Sequence, residues 1–122
     1  MNEILEKSLL FDFYGELLND HQKEVYSDVV FNDYSLSEVA DSYGISRQGV
    51  HDLIKRCNNA LKGYEDKLKL VEKFIDASDK AKHIIENVNS IEKSSLGESL
   101  SGEEKKKLED IKKLASEIME DL

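Results

Sequence analysis

From Glu3 onward, apolar residues return every three or four positions for most of the chain, which is the period of helix rather than strand. The pattern predicts a first helix over about Glu3–Leu18, with Leu5, Leu9, Phe13 and Leu17 as its apolar row and Leu10 and Tyr14 widening it. Asn19 or Asp20 then offers an N-cap, and Val25, Val29 and Val30 give a second helix its apolar side. "FNDY" reads as a short turn. Ser35 opens a third helix with a Ser-x-x-Glu box, in which Glu38 can reach back to the Ser35 amide.

The spacing after Leu36 is more specific. Two helices packed across a tight corner need apolar residues at fixed positions, one small residue at the contact and one residue able to turn. Val39, Tyr43, Ile45, Val50 and Leu53 fall at the inward positions, and Ala40 is the small contact. Gly44 stands at the corner, where glycine adopts a left-handed conformation most cheaply, and Ser46 caps the next helix. This is a helix-turn-helix pattern. Its second helix is expected to bury Val50, Leu53, Ile54, Cys57 and Leu61, and to present Arg47, His51 and Lys55 in one outward row with Gln48 and Asp52 beside it.

Helical character continues through Leu68, Val71, Ile75, Ile84, Val88 and Ile91, with Gly63 as a point of bending or breakage. "SSLGESLSG", residues 94–102, is the clearest loop. Ser101 and Glu104 repeat the capping box, and Leu108, Ile111, Ala115, Ile118 and Leu122 form a narrow seam. That seam suits an αα-hairpin with the preceding helix; the alternative is a dimerisation arm that makes the chain a homodimer. The expected fold class is all-α: a helix-turn-helix domain over residues 1–75 and a helical extension over 76–122.

Composition narrows the chemistry. The chain has 122 residues, no proline, 35% charged residues and a formal net charge of -9. All nine aromatics lie between Phe11 and Phe74, which assigns the larger core to the first part. Residues 1–70 hold 13 acids against 8 bases and residues 71–122 hold 13 against 9, so neither part is a broad basic surface. No apolar run approaches the ~20 residues of a membrane span, and the acids within "MNEILEKSLLFDFYGELL" argue against a signal peptide. A single cysteine cannot form an internal disulfide, so a cytoplasmic location is expected. His21, His51 and His83 are isolated, and His51 and Cys57 point to different helix faces, so no metal site is expected. Nor is there a glycine-rich phosphate loop or a carboxylate dyad, so neither a catalytic residue nor a cofactor is expected.

"LLFDFYGELLNDHQKEVYSDVVFNDYSLSEVADSYGISRQGVHDLIKR", followed by "YEDKLKLVEKF", resembles the YlxM family of small bacterial helix-turn-helix proteins. More distantly it is similar to region 4 of sigma factors, which reads the −35 promoter element. The resemblance covers roughly residues 5 to 75. It implies association with the signal recognition particle pathway in a regulatory or accessory role. Its implied partners are the particle RNA, the particle's GTPase or its receptor. Gly49 departs from the alanine expected after "SRQ", at a helix cost of ~1 kcal/mol.

The residues themselves point to nucleic acid. Arg47 can reach guanine with two parallel hydrogen bonds and Gln48 can pair similarly with adenine; His51 can donate to a base or phosphate. Lys55 and Arg56 suit the backbone, and Ser46 offers a hydroxyl and free amides. Residues 44–62 hold Arg47, Lys55, Arg56 and Lys62 against Asp52 alone, a local balance of +3. Asp52 opposes phosphate unless Arg56, one turn on, neutralises it; Asp33, Glu38 and Asp41 flank the motif. Three functions follow: a particle-pathway factor binding nucleic acid through this helix, a sequence-specific DNA-binding transcriptional regulator, and a protein-docking adaptor without nucleic-acid contact.

Overall fold

The computed structural model describes residues 3–121, with Ser95, Leu96 and Asp121 described by their backbone alone. Among these residues the chain forms helices only: α1 (Glu3–Tyr14), a 3-10 turn (Gly15–Leu17), α2 (Asp20–Val30), α3 (Leu36–Tyr43), α4 (Arg47–Leu68), α5 (Leu70–Lys93), α6 (Ser95–Glu98) and α7 (Gly102–Asp121). The all-α class expected from the periodicity is what is found. Backbone packing divides the chain into two compact units, Met1–Val71 and Glu72–Leu122.

In the first unit, α1, α2 and α3 each pack on α4. The row expected to lead α1 is not the buried one. Leu10, Tyr14 and Leu18 are buried, whereas Leu5 and Leu17 are 51% and 57% exposed. Two rows at four-residue spacing run side by side here, and the tightening into a 3-10 turn at Gly15 favours the second. Leu18 N–H closes that turn on the Gly15 carbonyl at 3.0 Å. Burial of Tyr14 also brings its hydroxyl within 2.6 Å of Glu65 Oε1.

Asn19 caps α2 through a reciprocal box with Gln22, and Val25 and Tyr26 are fully buried beneath it. The Tyr26 ring stacks on Phe11 at 5.6 Å, and its hydroxyl donates to Asn58 Oδ1 of α4 at 2.7 Å. Burial, with a smaller contribution from Cys57, pushes the Tyr26 phenol up to about 12. Ser35 caps α3 by accepting the Glu38 N–H, and Tyr43 at its far end donates to Asp28 Oδ2 at 3.0 Å. Gly44 takes the left-handed conformation (φ 68°) at the corner. Val25, Val39, Ala40 and Val50 close the core there, with Leu36, Tyr43, Ile45 and Leu53 packed around them.

Gly63 does not end α4, which runs on to Leu68; a helix can carry one glycine at a cost of ~1 kcal/mol where its neighbours pack. The break comes at Lys69 (φ 57°). There the Tyr14 hydroxyl accepts the Leu70 N–H at 3.1 Å and Glu65 Oε1 accepts the Val71 N–H at 2.9 Å. Two orphan amides at the start of α5 are thereby satisfied.

In the second unit α5 turns back through α6 into α7, and Lys112 Nζ of α7 meets Glu92 Oε1 near the end of α5 at 2.8 Å. The stretch expected as open loop contains the one-turn α6, because Gly97 nests against the Ile91 and Glu92 carbonyls where any Cβ would collide. Ser101 and Glu104 form their box in both directions. The buried seam is narrower than expected. Ala81, Val88 and Ala115 are buried, while Ile84, Ile91, Ile111 and Ile118 of the expected thread are exposed; Leu122 lies outside the described residues.

Two outcomes follow for stability. In denaturant titration, Lys69→Gly should raise the unfolding free energy by about 0.5–1 kcal/mol, and Gly44→Ala should lower it by about 1 kcal/mol, since only glycine occupies a left-handed position without a Cβ penalty. The Tyr26 phenol, raised in the fold from 10.0 to about 12, contributes stability that is complete below pH 10 and is lost as pH climbs through 12. Alkaline unfolding followed by far-ultraviolet dichroism should therefore be steep in this window, and Tyr26→Phe should flatten it.

Candidate nucleic-acid interface

The corner sets the site. Gly44 turns the chain, Ser46 accepts the Gly49 N–H at 2.9 Å, and α4 then starts with its apolar stripe turned into the core. Val50, Cys57 and Leu61 are fully buried on that stripe. The opposite side must therefore carry Arg47, His51 and Lys55 outward, and all three are exposed, as are Ser46, Gln48, Asp52 and Arg56. Helix geometry stacks Arg47, His51 and Lys55 along one face at about 6 Å per step.

Asp52 is engaged differently from expectation. Gln48 Nε2 donates to Asp52 Oδ1 at 3.0 Å, and His51 Nδ1 stands 3.7 Å from the same oxygen. Among the described residues, Arg47, Lys55, Arg56 and Lys62 make no ion pair. Asp52 lies one turn from both Gln48 and Arg56, and the shorter amide side chain takes the carboxylate. The consequence is twofold. Arg56 keeps its charge available, whereas Gln48 must release Asp52 before it can pair with a base.

Gly49 also acquires a local role. A Cβ at this position would stand 3.1 Å from Ser46 Oγ, so an alanine would crowd the cap that starts the helix. The Ser46 and Ser35 hydroxyls each accept a backbone N–H and retain a proton to donate. Exposed Asp33, Glu38 and Asp41 border the motif on the α2–α3 turn and on α3. His21 packs edge-on against Tyr43 at 5.5 Å. No group of three or more histidine, cysteine, aspartate or glutamate residues is disposed to hold a metal among the described residues. Of these residues, no helix is long and apolar enough to cross a membrane.

Two features of the site's support left no trace in the sequence pattern: the Tyr43–Asp28 bond, which holds the end of α3, and the Tyr26–Asn58 bond, which holds α4. A tyrosine on an apolar face signals burial, but nothing local names its distant acceptor.

A capped helix, a left-handed glycine corner and a second helix with a buried stripe and an exposed polar row define a helix-turn-helix protein. The comparisons agree. A family model described as "Putative helix-turn-helix protein, YlxM / p13 like" (UPF0122) matches residues 1–101. The chain belongs to that family. It is 42% identical over 120 residues to a UPF0122 protein of Acetivibrio thermocellus, covering 98% of this chain and 99% of the relative. A UPF0122 protein of Caldanaerobacter subterraneus is 45% identical over 85 residues, 70% of this chain and 73% of its own length. One from Symbiobacterium thermophilum is 46% identical over 71 residues, 58% of this chain and 66% of its own.

Cys57 is a structural residue by the same geometry. It is fully buried on the stripe, and burial pushes its thiol above the ordinary range. In the native protein it should react with a thiol reagent at least about a hundredfold more slowly than in denaturant, since both access and thiolate are withheld. Comparable rates in the two states would show α4 to be loosely packed.

Proposed function

We propose that the chain is an accessory or regulatory protein that binds nucleic acid through α4, with Arg47, His51 and Lys55 on the contacting row and Arg56 beside it. The observation that carries this reading is that the row is exposed and preset by the corner, and that among the described residues Arg47, Lys55 and Arg56 make no ion pair. Arg47 near the helix start suits a base edge, and Lys55 and Arg56 suit phosphates. Ser46 contributes a hydroxyl at the helix N-terminus. The likeness to the YlxM family directs the choice of target toward the RNA of the signal recognition particle. A helix does not enter the narrow major groove of A-form RNA, so the target on that RNA is a loop, an end or an irregular groove.

One observation favours a second reading. The interface is bordered by Asp33, Glu38, Asp41 and Asp52 in a chain of net charge -9, which suits docking on a basic protein such as the particle's GTPase or its receptor. The same face on duplex DNA would make a transcriptional regulator.

Fluorescence anisotropy at two salt concentrations separates these readings, using random duplex DNA, the particle RNA and the protein components as targets. Arg47→Ala/Lys55→Ala should weaken nucleic-acid binding about tenfold and reduce the salt slope by about two. Asp52→Asn should tighten it by about threefold at low salt, because a repelling charge is lost while an acceptor for Gln48 remains. Sequence-specific binding of duplex DNA in preference to the RNA selects the regulator. Absence of nucleic-acid binding at low salt, with binding to a protein component that survives Arg47→Ala, sinks the proposal in favour of the adaptor.

A further inference from the structure

In residues 72–121 the most deeply buried side chains are small, large ones such as Ile85 and Leu108 are half-buried, and five large ones stand outside. Ala81, Val88 and Ala115 are buried, while Ile84, Ile91, Ile111, Leu114 and Ile118 are 40%, 38%, 41%, 52% and 47% exposed. Their positions follow one rule. Ile84 and Ile91 stand four before and three after Val88, and Ile111 and Ile118 stand four before and three after Ala115. On two antiparallel helices, equal offsets from facing residues fall on the same side of the pair. The Lys112–Glu92 bond at 2.8 Å sets the register and brings Val88 level with Ala115. Ile91 then lies level with Ile111, and Ile84 with Ile118, with Leu114 beside them. The hairpin thus carries one continuous apolar face.

We propose that this face is a self-association surface, covered by the same face of a second copy of the chain with the two α7 helices antiparallel. Charge along α7 argues for this occupant. Lys107 stands one turn before Ile111, and Glu117 flanks the other end beside Ile118. An antiparallel crossing centred between Ile111 and Leu114 sets each Ile111 against the partner's Leu114. It also places each Lys107 beside the partner's Glu117, and the two-fold axis satisfies both ends at once. A parallel crossing would oppose Lys107 to Lys107. A partner of uniform charge would match one end only. Burial of large side chains against a second hairpin also yields a four-helix arrangement, which supplies a larger core than two helices can enclose.

The surface is independent of nucleic-acid binding, so it is tested on the full chain alone. Sedimentation equilibrium from low- to high-micromolar concentration should show a mass twice the 13.9 kDa of one chain. Leu114→Glu should raise the dissociation constant at least about a hundredfold with helix content unchanged, since each copy would bury a charge. Lys107→Glu and Glu117→Lys should each weaken the dimer by about fivefold, and their combination should recover it to within about twofold. The two charge variants alter only exposed positions, so they decide the matter even where Leu114→Glu perturbs the fold. A monomer mass throughout the range overturns the proposal. So does a dimer indifferent to these substitutions, and so does a charge combination additive in its harm.

Discussion

The N-terminal unit depends on one requirement: the Val50–Cys57–Leu61 stripe of α4 must be kept from water along a helix of 22 residues. Burial of such side chains is worth about 1.5–3 kcal/mol for each large one, and no single neighbouring helix can cover the whole stripe. α1, α2 and α3 therefore share the task. Their polar edges are fastened by tyrosines that lie in the core and donate outward, Tyr14 to Glu65, Tyr26 to Asn58 and Tyr43 to Asp28. Among the described residues no buried side-chain nitrogen or oxygen lacks a hydrogen-bond partner. Each hydroxyl locks an angle that apolar contact alone would leave adjustable.

What the stripe fixes on one side it also fixes on the other. With three sides of α4 committed, Arg47, His51 and Lys55 have no direction but outward. The net charge of -9 then matters less than the local one, because exposed charges further away than ~8–10 Å are largely screened at physiological salt. A polyanion that meets this face meets Arg47, Lys55 and Arg56 first, with Asp52 partly occupied by Gln48.

The extension solves a different problem. Ala81, Val88 and Ala115 are its most deeply buried side chains, while Ile84, Ile91, Ile111 and Ile118 stand on the flank. A single pair of helices shares too little surface to enclose every large side chain. The choice of small residues inside is therefore also a choice to leave large ones outside, and the Lys112–Glu92 bond holds that arrangement in register.

The sequence by itself determined the features that obey short-range rules. The helices, the caps at Asn19, Ser35, Ser46 and Ser101, the Gly44 corner and the outward row of α4 all follow from residues within about one turn of each other. Tertiary structure decided wherever two local solutions were equally good. Both apolar rows of α1 have helical spacing, and the groove on α4 selected Leu10, Tyr14 and Leu18. Gly63 and Lys69 were both places to end α4, and the helix ended at Lys69, where the Tyr14 hydroxyl and the Glu65 carboxylate catch the first amides of α5. The physical reason is the same in each case: spacing along a helix specifies which residues can meet, whereas the free energy of meeting depends on partners tens of residues away.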